Sequence, residues 1–377
     1  MKSPQGAGSV QRFATGSTRG LLAPISALGM RLSAAKSVVG VDIEPGSVAA
    51  VEARPGQAAV ERAAVARLAP GVVRDGEVTD VEALAEALKQ LFAEHKLSRR
   101  VRLGVANQRI VVRLIDLPPM QDSKQLSSAI RFQAQDHIPM PLEQTVFEHH
   151  SLGIVETPAG PRTRVVLVAA RRDMIDRLLE AARRAGLRPQ GIDLAAFAMI
   201  RALHRPEREA ATLYVSVGGV TNLAVAHGTI CTFTRVVPFG FESLAVELAE
   251  RRGLTLEHAE GWLRHVGMRA PLDHVEGDPE MVREARHVLS DGVRRIADEI
   301  RNSLDFHRMQ EGAAEVGGAV LTGQAAAVPG LPEQLGDEIG MPLEVGTVSE
   351  ARVGGFAGAD AGQLAIATGL TLHEVPA

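Results

Sequence analysis

The sequence predicts an α/β protein of two lobes, the first interrupted by a small α+β insert. Three observations carry this. A run of three strands opens each half of the chain, near Val38 and again near Thr212. Strands then alternate with amphipathic helices, as in a sheet covered on both faces. A strand, a helix and a hairpin interrupt the first half between about Arg113 and Gln190. With 377 residues, 45% of them hydrophobic and 23% charged, the chain is long enough for two cores.

The start of the chain differs from the rest. Residues 1–36 carry Lys2, Arg12, Arg19, Arg31 and Lys36 with no acidic residue, and are rich in Ser, Gly and Ala. That is the composition of a basic flexible segment. A second reading takes Leu21, Leu22, Ile25, Leu28 and Leu32 as an amphipathic patch in peripheral contact with anionic lipid, though Pro24 weakens such a helix.

Val38 to Val41 begins a strand, Pro45-Gly46-Ser47 turns it, and Val48 to Glu52 and Ala58 to Arg67 return. Thr79 to His95 places Val81, Leu84, Leu88, Leu91 and Phe92 at helical spacing, and Thr79 with Glu82 has capping-box spacing. Val101 to Ala106 and Arg109 to Leu117 are strands, the second ended by Pro118-Pro119, and Asp122 caps a helix reaching about His137. Ile138-Pro139-Met140-Pro141 is extended. Phe147 to Val155 and Thr163 to Ala170 form a hairpin, and a helix from Asp173 is stopped by Gly186. Ile192 to Leu203 reads as a helix, and Arg205 to Ala210 as a polar break between lobes.

The opening pattern then repeats. Thr212 to Val217, Asn222 to Ala226 and Thr229 to Val237 are strands, the last two joined at His227-Gly228. Helices follow at Phe241 to Arg252, Thr255 to His265 and Pro279 to Met309, the last broken at Ser290-Asp291-Gly292. A buried strand at Val316 to Leu321, a helix at Leu331 to Ile339, a strand near Leu343 and an apolar helix at Gln363 to Leu372 complete the chain. The expected layout is a flexible segment 1–36, a first lobe 37–112 and 191–210, an insert 113–190, a second lobe 211–245 and 316–377, and a helical subdomain 246–315.

Composition excludes several functions. A net charge of -4 and 3% aromatic residues provide neither a basic field nor stacking platforms for nucleic acid. Cys231 is the single cysteine, so no internal disulfide and no cysteine zinc site can form. That cysteine usage suits a reducing cytoplasm, and no stretch reaches the roughly 20 apolar residues of a spanning helix, so the expectation is a protein that is soluble or held at a membrane by something else. His149-His150 are neighbours on a strand and point to opposite faces, which makes them surface residues rather than ligands.

Two strand-turn-strand loops, Asp42 to Val48 and Ser216 to Asn222, stand at matching places in the halves, with a third turn at Thr322-Gly323. Small residues in facing loops let backbone N–H groups approach phosphates, and a carboxylate such as Asp42 can hold Mg²⁺ through water. Taken alone, each loop reads better as an ordinary turn, since glycine in a strand turn is usually just that.

Dispersed blocks carry a resemblance. Val39-Gly40-Val41-Asp42-Ile43, Asp75-Gly76-Glu77-Val78-Thr79-Asp80, Leu117-Pro118, Ile138-Pro139, Pro141-Leu142-Glu143, Leu167-Val168-Ala169-Ala170-Arg171, Gly186-Leu187 and Ala196-Phe197-Ala198 follow in the order seen in type IV pilus assembly proteins of the PilM family. The chain resembles that family from about Lys36 to Glu374, and the division protein FtsA more distantly. The resemblance implies a two-lobed actin-like ATPase fold. It also implies a cytoplasmic place at the inner face of the membrane, with a PilN-like membrane protein tail as direct partner and PilO and pilus motor ATPases as indirect ones. The partner groove would lie between the first lobe and its insert, shaped by Ile138, Pro139, Pro141, Leu142 and Glu143.

Departures from the family pattern mark the implied ATP and Mg²⁺ site as degenerate. The positions left to it are Asp42, Gly46, Ser47, Ser216, Gly218, Gly219, Thr221, Asn222, Gly323 and Gln324. Glu44 stands in the first phosphate loop, Ala49 replaces a lysine, Ser216 replaces an aspartate and Gln324 adds bulk. Ala195 lies where relatives orient water, with Asp193 offset. Phosphoryl transfer needs metal, lysine and a water-orienting group together. The expectation is an adaptor with weak or no hydrolysis, the alternative an ATPase that signals its nucleotide state to pilus motors.

Overall fold

The computed structural model describes residues 37–53, 60–120, 123–157, 160–310, 312–348 and 361–372. The basic N-terminal segment, its lipid-contact reading and the capping role of Asp122 lie outside the described residues. The described residues all fall within a single unit.

The first sheet starts with β1 (Val38–Glu44), β2 (Ser47–Ala53) and β3 (Val60–Arg67), an antiparallel meander whose first strand is buried along its whole length. A short hairpin of β4 (Val73–Arg74) and β5 (Glu77–Val78) leads to α1 (Val81–Glu94). The cap of α1 is Asp80, whose Oδ1 accepts from the Ala83 amide at 2.9 Å, not Thr79. Thr79 instead donates its hydroxyl to the Gly71 and Val72 carbonyls, and so ties the hairpin to the helix. β6 (Arg100–Val105) pairs in parallel with β1.

The chain then leaves the sheet. β7 (Val111–Leu117), α2 (Ser123–His137), β8 (Thr145–Thr157) and β9 (Gly160–Arg171) form a three-stranded sheet in the order β7-β9-β8. Ile115, Leu117, Ile130, Ala134, Ile138, Val165 and Leu167 make its separate small core. α3 (Arg172–Arg184) returns to pack beside α1, and β10 (Arg188–Leu194) completes the first sheet against β6. Ile192 to Leu194 therefore belong to a strand, because pairing with Leu103 to Val105 satisfies their backbone groups. α4 (Ala195–Leu203) begins only after it.

The second half repeats the plan with β11 (Ala211–Val217), β12 (Thr221–His227) and β13 (Ile230–Val237). Helices α5 (Phe241–Arg252), α6 (Leu256–Val266) and α7 (Pro279–Arg308) follow. α7 is unbroken at Gly292, whose lack of a side chain makes room for Leu244 of α5. β14 (Val316–Thr322), α8 (Leu331–Ile339), β15 (Leu343–Val345) and α9 (Leu364–Thr371) finish the lobe.

The two sheets have one topology: β10-β6-β1-β2-β3 in the first and β15-β14-β11-β12-β13 in the second. In each, an antiparallel meander continues into parallel strands. The outer face of the first sheet is covered by α1 and α3, and that of the second by α5, α6, α7 and α8. Between the sheets lie α4 and α9, rich in alanine, so that a third core of Ala49, Val51, Met199, Tyr214, Val320 and Leu370 joins the lobes. Helix α9 is held by Arg102, which donates to the Leu370 and Leu372 carbonyls at 2.9 and 3.1 Å.

Candidate functional site

The turns β1–β2 and β11–β12 meet where the two lobes face each other. Around them lies a small cavity lined by Asp42, Glu44, Ser47, Ala49, Ser216, Gly323, Gln324, Gly362, Gln363 and Ile366. Its volume is about 10 Å³, room for roughly one water molecule, whereas small-molecule sites span about 300–1,000 Å³. Asp42, Ser47, Ser216, Gly323 and Gln324 are thus brought together as expected of neighbouring loops. Gly362, Gln363 and Ile366 were missed, because nothing in the local pattern of α9 and its approach marks them.

The remaining candidates point elsewhere. Gly46 sits against the Glu242 carboxylate at the start of α5. Thr221 donates its hydroxyl to the Phe239 carbonyl at 2.7 Å. Asn222 is 1% exposed and lines a different, larger cleft, and neither its Oδ1 nor its Nδ2 has a hydrogen-bond partner among the described residues. Asp193, near the buried Ala195, forms an ion pair with Arg201.

Three backbone donors of the loops are already engaged. Gly219 donates to Glu44 Oε2 at 2.9 Å, Gly218 to the Val220 carbonyl at 3.0 Å and Gly323 to the Gly362 carbonyl at 3.4 Å. A methyl group on Gly218 would overlap the Glu44 carboxylate, and one on Gly219 would overlap the Pro45 carbonyl. Only glycine permits such an approach. The turns are in contact, with no gap for a ligand to bridge.

Charge adds to this. Burial, then Glu44, raises Asp42 well above the ordinary carboxylate range. Burial pushes Glu44 up to about 7, with Glu242 adding to the rise and the Gly219 hydrogen bond opposing it. Burial and Glu260 raise Glu242 to about 7. A polyphosphate placed here would meet carboxylates and occupied amides. The residues present do not fit a nucleoside triphosphate, and among the described residues no cluster of metal-binding side chains occurs.

The larger cleft has a volume of about 1300 Å³. It is bounded by β7 and β13, each the edge strand of its sheet, and by the end of α7. Pro139 and Met140 line it, whereas Ile138 is buried in the core of the insert and Leu142 packs against that core. The Pro141 carbonyl accepts from the Thr145 hydroxyl at 2.8 Å, and Glu143 faces solvent. Phe306 lies at the cleft with 58% exposure, and Met309, just past α7, is 84% exposed.

The family model described as type IV pilus assembly protein PilM matches residues 40–374. Among solved structures the chain is similar to the PilM-PilN type IV pilus biogenesis complex, with 26% identity and a TM-score of 0.73 over 89% of this chain and 98% of that one. It is similar in fold to MreB5 of Spiroplasma citri bound to ADP, with 13% identity and a TM-score of 0.52 over 89% and 94% of the two chains. Cell division protein FtsA of Streptococcus pneumoniae serotype 2 (strain D39 / NCTC 7466) is 21% identical over 342 residues, 81% of this chain and 74% of that protein. The two-lobed architecture is the actin-like ATPase fold these relatives share.

Proposed function

Since the chain belongs to the family of type IV pilus assembly protein PilM, we propose that it is an adaptor of the pilus assembly platform that docks the N-terminal tail of a PilN-like membrane protein without turning over ATP. PilO and the pilus motor ATPases would be reached through that partner. No described helix is long and apolar enough to cross a membrane, so attachment to the inner face of the membrane would come through the docked tail. The partner assignment draws on the similarity to a PilM-PilN complex across most of both chains.

The observation that carries the adaptor reading is the contrast between two spaces. Where the fold would hold nucleotide, the volume is about 10 Å³; beside the insert it is about 1300 Å³. The large cleft suits an extended peptide, since the edge strands β7 and β13 offer main-chain pairing and Phe306 offers apolar contact. Asn222 supplies a buried amide that lacks a partner among the described residues, a state that costs about 1–3 kcal/mol and is relieved when a ligand brings donor and acceptor groups.

Titration of the full chain with the N-terminal peptide of the PilN-like protein tests this. Saturable binding is expected, weakened about tenfold or more by Asn222→Leu while thermal stability holds or rises; absence of binding overturns the adaptor reading. Calorimetry with ATP and Mg²⁺ tests the other half. No heat beyond dilution is expected, and a saturable, Mg²⁺-dependent signal accompanied by phosphate release, both abolished by Asp42→Ala, would establish the ATPase alternative.

A further inference from the structure

We propose that the starting edge of the first sheet, together with the basic residues 1–36 that enter the fold there, binds the anionic surface of a lipid bilayer. The contact needs no docked partner. It lies at the starts of β1, β6 and β10, whereas the large cleft is reached from the ends of β6 and β10 at Val105 and Leu194.

Strand pairing builds this edge. β6 runs parallel to β1 and to β10, so their first residues come to one side of the sheet, where Arg188 stands beside Arg100. The Arg188 amide donates to the Arg99 carbonyl at 2.7 Å, and the Arg99 guanidinium reaches the Gly186 carbonyl at 3.5 Å. The turn after α1 adds Lys96, whose carbonyl accepts from Arg62 at 3.1 Å, and the end of α3 adds Arg183. Glu52 fixes the edge from inside. It is 2% exposed, and its carboxylate accepts from the Ser37 hydroxyl at 2.6 Å and from Arg62 and the Ser98 amide at 3.2 Å each. Its charge is thereby spent within the fold and leaves the outer cations uncompensated.

Lys96, Arg99, Arg183 and Arg188 are exposed and Arg100 is half-buried, and none of the five makes an ion pair among the described residues. Arg184 differs, since Glu82 and Glu180 meet it. Two exposed acids of the neighbouring elements, Glu61 and Glu94, are outnumbered. Residues 1–36 hold five more cations and no acid, so removing them from the net charge of -4 leaves -9 for residues 37–377. A body of that sign is repelled by an anionic surface unless it presents a basic face. The contact is therefore oriented as well as attractive.

Nucleic acid, an acidic protein and a bilayer could each answer a basic edge, and residues 1–36 favour the bilayer. They place Leu21, Leu22, Ile25, Leu28 and Leu32 among Arg19, Arg31 and Lys36. Hydrocarbon accepts the apolar side chains and headgroup phosphates accept the cations. A soluble polyanion offers only the second. Stable peripheral attachment takes two weak signals, and the segment and the edge supply one each.

Co-sedimentation of the full chain with vesicles tests this. Binding is expected to vesicles of mixed phosphatidylcholine and phosphatidylglycerol and not to phosphatidylcholine alone. It should fall about tenfold or more as salt rises from about 0.1 to about 1 M, which shortens the screening length from about 10 to about 3 Å. Arg183→Gln with Arg188→Gln should weaken it about tenfold or more, because each cation near such a surface adds its own attraction. Arg183→Lys with Arg188→Lys should bind as wild type. Both side chains are exposed, and an unchanged melting temperature shows that the variants fold. No binding to the anionic vesicles, equal binding to the neutral ones, or full binding by the glutamine variant would overturn the proposal. Equal affinity for duplex DNA or polyglutamate would also overturn it, by assigning the edge to a soluble polyanion. The vesicles carry no protein, so every one of these results leaves the docking of a partner tail untouched.

Discussion

At the scale of single residues, the cleft is governed by what glycine permits and what carboxylates resist. Gly218→Ala and Gly219→Ala should differ. The first meets the tip of a side chain, the Glu44 carboxylate, which can swing away; the second meets the fixed backbone of Pro45. Overpacking a fixed neighbour costs about 1–3 kcal/mol, so Gly219→Ala should lower the urea midpoint distinctly more than Gly218→Ala. Glu242→Gln tests the electrostatics by another route. Because burial and Glu260 hold Glu242 up to about 7, its ionised form is penalised in the folded protein. The amide variant should gain melting temperature over wild type at pH 8, and the gain should shrink as pH falls below about 7 and vanish below about 4.5. The resemblance marked Glu44 as a departure from the family's phosphate-loop pattern. It could not show that the carboxylate reaches the other lobe, since that contact joins residues 175 positions apart.

At the scale of elements, the helices and strands were largely legible because their signals are local. The alternation of buried and exposed positions in α1 and the all-buried strand β1 follow from spacing and apolar content. Where the reading missed, a competing contact had won. Asp80 caps α1 because Thr79 is engaged by the preceding hairpin; Asp80→Ala should therefore cost about 1 kcal/mol, and Thr79→Ala should act on the hairpin instead. Gly292 resembles a helix break, yet it serves the packing of Leu244. The anchoring of α9 was invisible, since Arg102 and the carbonyls it serves are far apart in the chain. Arg102→Ala should destabilise the protein by about 2 kcal/mol in denaturant titrations, as charged hydrogen bonds to carbonyls are lost.

At the scale of the whole molecule, the repeated meander predicted the duplication, and the two sheets have identical strand orders. The contrast in size between the two clefts could not be read beforehand, because a cavity is a property of elements packed together. Asn222 illustrates this. Its place in a loop suggested the phosphate site, but its strand register sends it to the larger cleft. The contact of the two turns also bears on descent. The acidic residue at position 44 occupies the space a side chain at position 218 would need, and the turn after it occupies that of position 219. Across natural homologues, a side chain at 218 should therefore accompany loss or displacement of the acid, and one at 219 a change in the turn at position 45, so that the lobes record each other's history at these sites.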